Sequence, residues 1–134
     1  MPVVRDELLR LESSQDIVNV RAEVRAWATA LGLNLVDQTK IVTAASELAR
    51  NALEYGGGGT ACLQVLEEGA RKGLRLTFED RGPGIADIAL AMTDGYTTSG
   101  GLGLGLSGAK RLVNEFEIRS TPGEGTRVTI TRWK

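Results

Sequence analysis

The chain has 134 residues, enough for one domain around one core, and its 42% hydrophobic and 25% charged residues are those of a globular protein. No apolar run approaches the roughly 18 residues of a membrane span, and Arg5, Asp6, Glu7 and Arg10 stand where a secretory leader needs an apolar stretch, so a cytoplasmic protein is expected. A net charge of −1 with interleaved signs argues against a nucleic-acid binder, and a histidine count of zero excludes Ser/His/Asp and Cys/His triads, most zinc sites and phosphorylation of the chain on histidine.

Leu8 to Glu12 reads as a first, edge strand. Ser13, Ser14 and Asp16 offer helix N-cap groups, after which Ile17, Val20, Val24, Trp27 and Leu31 recur at helical spacing until Gly32 stops the run. A second helix is predicted from near Asp37, with Ile41, Ala45, Leu48, Ala52 and Tyr55 as its apolar stripe and Gly56 to Gly59 as its end. Thr60 to Glu67 and Leu74 to Glu79 read as strands around a turn at Glu68 to Gly73. The lone Cys62 falls in the first of these and is expected as a small buried hydrophobe.

From Arg81 to Gly105 the composition turns to Gly, Thr, Asp and Pro, which predicts a long functional loop with a short helix over Asp87 to Met92. Leu106, Ala109, Leu112, Val113 and Phe116 predict a third helix. Two closing strands are expected near Glu117 to Ser120 and Arg127 to Trp133, about a Pro122-Gly123 turn. The order implies one domain over residues 1–134, a two-layer α/β sandwich whose mixed sheet is covered by helices on one face.

Three constellations carry chemistry. Glu47 and Asn51 are four apart on the second helix and therefore share a face, beside the apolar stripe. A carboxylate and an amide oxygen there could serve a nucleophile and Mg²⁺, which keeps most of its water and phosphate shell; the alternative is a pair of solvated helix residues. Asp80-Arg81-Gly82-Pro83-Gly84-Ile85 puts an acceptor-only carboxylate at a strand end, suited to an exocyclic amino group, although Asp with Gly and Pro is equally ordinary turn chemistry. Gly100 to Gly108 contains G-x-G-x-x-G at Gly103, Gly105 and Gly108, but no apolar strand precedes it, and Ala109-Lys110-Arg111 replaces the Gly-Lys-Ser/Thr of a P-loop. What remains is a glycine loop able to bring backbone N–H groups to phosphate, or a hinge without a ligand.

Taken in order, E-x-x-x-N, D-x-G-x-G, G-x-G-x-G and Gly123-Glu124-Gly125-Thr126 resemble the N, G1, G2 and G3 boxes of the GHKL ATPases, which share the Bergerat fold with gyrase B, Hsp90, MutL and the histidine kinases. Within that family, SELARNALEYGGGG, GYTTSGGLGLGLSGAKRL and NEFEIRS look like the serine/threonine kinases that phosphorylate STAS-domain antagonist proteins of the bacterial stressosome. The resemblance implies ATP and Mg²⁺ as cofactors, with Asn51 holding the metal and Glu47 acting as general base. Asp80 would accept from the adenine amino group, with Gly82, Gly84 and Ile85 shaping its pocket and Thr126 supporting it. The segment Gly101, Leu102, Gly103, Leu104 and Gly105 would close over the phosphates. Arg81 departs from the Asn of many members and affects only a secondary contact, and Lys110 and Arg111 would either neutralise charge or lie in solvent. The implied partners are a STAS-domain substrate and, on release, a PP2C-type phosphatase; no nucleic acid or membrane is implied. An anti-sigma factor kinase with the same ATP site and a non-catalytic ATP-dependent binding module are the alternatives.

Overall fold

The computed structural model describes residues 2–93 and 105–134. Its sheet contains β1 (Val3–Leu11), β2 (Gly59–Glu68), β3 (Arg71–Asp80), β4 (Glu115–Thr121) and β5 (Gly125–Trp133), in the order β1-β2-β3-β5-β4. Two long helices, α1 (Ser14–Leu31) and α2 (Leu35–Glu54), and two short ones, α3 (Ile88–Ala91) and α4 (Gly105–Arg111), complete the described chain. Helices on one sheet make the expected two-layer sandwich.

Every neighbouring strand pair is antiparallel, which corrects the mixed sheet expected from the sequence. Connectivity gives the reason. Two consecutive helices return the chain to the end of the sheet where β1 finished, so β2 must run back against it. β4 does run in the same direction as β3, but β5 lies between them and pairs antiparallel with both.

Local chemistry sets the helix ends. The Ser13 hydroxyl accepts the Asp16 N–H and Asn34 Oδ1 accepts the Asp37 N–H, satisfying first-turn donors that have no partner within the helix. Gly32 ends α1 at φ 91°, a left-handed geometry that glycine adopts without strain. The third predicted helix is shorter than its apolar spacing suggested, because the chain leaves α4 at Arg111 and enters the sheet. The Asn114 N–H donates to Thr131 O at 2.9 Å and its side-chain oxygen takes the Trp133 N–H at 2.7 Å, so Phe116 lies in β4 opposite Ile130.

Val20, Val24 and Trp27 of α1 and Ile41, Ala45 and Leu48 of α2 are buried with the inward residues Leu63, Leu74, Leu76 and Ile130 of the sheet. Truncating any of the larger ones would cost about 2–5 kcal/mol. The opposite sheet face is polar, as one-sided antiparallel sheets are: Arg75 donates to Gln64 at 2.9 Å and Arg127 pairs with Glu79 at 2.8 Å. Cys62 belongs to this face and is only half-buried, contrary to expectation, because strand alternation turns its neighbours Ala61 and Leu63 inward.

Candidate active site

A cleft of about 540 Å³ opens between α2, the ends of β3 and β5, and the start of α4. That is the size of a small-molecule site. Its floor is the outer surface of the core, since Leu48, Ala52, Phe78, Leu106 and Val128 belong to both. Glu47, Asn51, Asp80, Gly84, Ile85, Gly105 and Thr126 all line it, so residues 79 positions apart in the sequence face one cavity. Gly101, Leu102, Gly103 and Leu104 lie outside the described residues.

Asp80 ends β3 opposite Gly59 of β2 and Thr126 of β5. Burial pushes its carboxyl up from the ordinary carboxylate value, against the opposing effect of N–H donation from Gly82 and Thr126. The Gly82 bond is 2.9 Å. Glycine is required around this carboxylate for steric reasons. A Cβ at Gly56 would lie 2.2 Å from Asp80 Cγ, one at Gly82 would lie 2.5 Å from Gly56 Cα, and one at Gly84, where φ is also 75°, would lie 2.3 Å from the Thr121 carbonyl oxygen. Gly82 does not line the cleft; it shapes it by touching Gly56 and holding Asp80.

Two contacts tie the loop after Asp80 to the β4–β5 hairpin. The Ile85 N–H donates to Ser120 Oγ at 2.7 Å, and the Gly123 N–H donates to Pro83 O at 2.8 Å. Ser120 Oγ also donates to Gly125 O at 3.0 Å and lies 2.8 Å from Thr126 Oγ1. Ser120 and Gly56 are thus part of the site although neither stood out in the sequence. Gly56 looked like an ordinary helix stop, and Ser120 carries no signal beyond the strand parity that turns it inward.

At the other end of the cleft, Glu47 forms an ion pair with Arg50 and accepts the Gly105 N–H at 3.1 Å. Asn51 is one helical turn on, and its backbone carbonyl takes the Tyr55 N–H at 3.0 Å and the Gly56 N–H at 3.3 Å, fixing where the helix gives way to the glycines. From Glu47 to Tyr55 the helix rises about 12 Å, so the cleft lining it shares runs from Glu47 to the glycines beside Asp80. Lys110 and Arg111 do not line the cleft. Among the described residues no group of three or more His, Cys, Asp or Glu could hold a metal; the oxygen donors that Asn51 and Glu47 bring to the cleft are of the kind that suits a hard cation keeping its other oxygen ligands. No helix among the described residues is long and apolar enough to cross a membrane.

The chain matches the family profile of histidine kinase-, DNA gyrase B-, and HSP90-like ATPases over residues 36–134. It is 46% identical over 125 residues to the serine/threonine-protein kinase RsbT of Bacillus subtilis, covering 93% of this chain and 94% of that one. It is 32% identical over 132 residues to the anti-sigma F factor of Thermoanaerobacter sp., covering 95% and 92%. Among solved structures, the RsbU and RsbW domains of Rv1364c from Mycobacterium tuberculosis superpose with a TM-score of 0.67 at 25% identity, covering 96% of this chain and 32% of that longer one. The chain therefore belongs to the histidine kinase-, DNA gyrase B-, and HSP90-like ATPase family, and within it to the serine/threonine protein kinases of the RsbT kind.

Proposed function

We propose that the cleft binds ATP with Mg²⁺ and that this kinase transfers the γ-phosphoryl in the cytoplasm to a serine or threonine of a STAS-domain partner. The observation that carries the reading is the joint lining of one cleft by a half-buried carboxylate at one end and by a carboxylate with an amide at the other. Asp80, an acceptor only, takes the adenine amino group, its carboxylate held by the Gly82 N–H and by the close approach of Gly56. Asn51 holds Mg²⁺, which when bound neutralises charge on the triphosphate oxygens. Glu47 takes the proton from the partner's hydroxyl as its oxygen bonds to phosphorus and the bond to the ADP oxygen breaks.

The chain has no histidine, so the family's histidine chemistry has no residue here on which to act, and the acceptor is read as a serine or threonine supplied in trans. The 46% identity to RsbT against 32% to an anti-sigma F factor favours a switch kinase of the stressosome over a sigma-factor binder. Release from the phosphorylated partner then frees the kinase to activate a PP2C-type phosphatase. Incubation with labelled ATP and a STAS-domain protein is expected to place label on a Ser or Thr of the partner and none on this chain. Stable label on the chain, or tight sigma-factor binding without transfer, overturns the reading.

The half-buried position of Asp80 adds a pH signature. Its ionised form is disfavoured in the free protein, and the adenine amino group stabilises that form, so binding at acidic pH releases a proton. ATP affinity is expected to fall as the pH drops through the raised pKa, beginning above the range of an ordinary aspartate. The same shift makes ionisation of Asp80 cost stability as the pH climbs past the unfolded value, the loss being complete above the raised one. Asp80→Asn should therefore lower ATP affinity and flatten the acid limb in calorimetry. Unchanged affinity in the variant removes Asp80 from the base pocket.

A further inference from the structure

Arg50 stands three residues after Glu47 on α2, and its Nη2 pairs with Glu47 Oε1, the same oxygen that accepts the Gly105 N–H. Donors from two elements thus converge on one atom of the carboxylate. Solvated i,i+3 pairs on helices are weakly held and exposed, whereas the Glu47 side chain is 12% exposed and that of Arg50 33%. Arg50 also leaves its Nε buried without a hydrogen-bond partner among the described residues. An unmade hydrogen bond on a buried charged group is costly, so packing by itself favours an apolar residue at this position. What the arginine adds is the Nη2 contact.

We propose that Arg50 is a positioning residue for phosphoryl transfer, holding Oε1 of Glu47 together with the Gly105 amide so that Oε2 faces the partner's acceptor hydroxyl. The inference rests on the reading of Glu47 as the base. The planar guanidinium fixes direction as well as charge, which a flexible ammonium does not. Arg50 does not line the cleft, so it acts through Glu47 and leaves nucleotide binding unchanged.

The test is steady-state and single-turnover transfer to the protein partner, with folding followed by circular dichroism. Arg50→Ala is expected to lower kcat between about tenfold and a hundredfold with KM for ATP unchanged, the scale of a misoriented catalytic group. Arg50→Lys recovers part of the loss, and Arg50→Gln serves if the alanine variant does not fold. In a Glu47→Gln background the Arg50 change has no further effect, since the two residues act as one unit. An unchanged kcat, an effect confined to KM, or equal losses in both backgrounds overturns the positioning role while the base reading stands. Wild-type transfer by Glu47→Gln overturns the base reading and this inference with it.

Discussion

Glu47→Gln leaves ATP bound and nearly stops transfer. The substitution keeps the side chain's length and its carbonyl oxygen for the Gly105 N–H, so the tie between α2 and α4 survives. It removes the lone pair that accepts the hydroxyl proton, and a placed general base is worth about 10² to 10⁴ in rate. Single-turnover transfer of labelled phosphate to a STAS-domain partner reads the rate, and calorimetry reads the nucleotide affinity. Transfer at the wild-type rate would make Glu47 a structural tie.

Asn51→Ala abolishes the part of ATP affinity that depends on Mg²⁺ while the fold persists. The fold is expected to survive because the helix-ending bonds from the Tyr55 and Gly56 N–H groups go to the Asn51 backbone carbonyl, which alanine retains. Alanine is also the better helix former at an interior position of α2. Changes to groups that merely support a metal ligand cost 10- to 100-fold in metal affinity, so loss of the amide oxygen itself should cost at least about a hundredfold. Titrating ATP with Mg²⁺ and again with a chelator isolates the effect: the two affinities differ in the parent and coincide in the variant. Normal Mg²⁺-dependent binding by the variant removes Asn51 from the metal.

The fold was legible wherever a periodic pattern met a punctuating residue. The α1 stripe ends at Gly32 as predicted, β2 extends its predicted range by one residue at each end, and β3 extends its own by three at the start and one at the end. The reading failed where tertiary pairing overrides a local pattern. Leu112, Val113 and Phe116 continue a helical spacing, yet Asn114 is engaged by β5 and draws Phe116 into β4. Strand direction failed likewise, because a sequence shows how many elements separate two strands and not that a later strand is inserted between them. Of the candidate site, Glu47, Asn51, Asp80, Gly84, Ile85, Gly105 and Thr126 meet at the cleft, and Gly82 lies behind it against Gly56. Ser120 and Arg50, though within the quoted phrases, drew no role from the sequence, since one depends on strand parity and the other on a partner oxygen already occupied by the Gly105 amide.

The insertion of β5 between β3 and β4 bears on biosynthesis. Asp80 is translated well before Thr126, the residue opposite it, whose backbone N–H helps hold its carboxylate. Until β5 emerges from the ribosome, β3 has only β2 as a neighbour, and the cleft lacks the wall formed by Thr126 and Val128. Closing that β3–β5 pair joins segments far apart in the chain and belongs to the slow part of folding. Nucleotide affinity therefore has to wait for the β3–β5 pair, and a nucleotide that binds only the finished sheet draws newly made chains toward it.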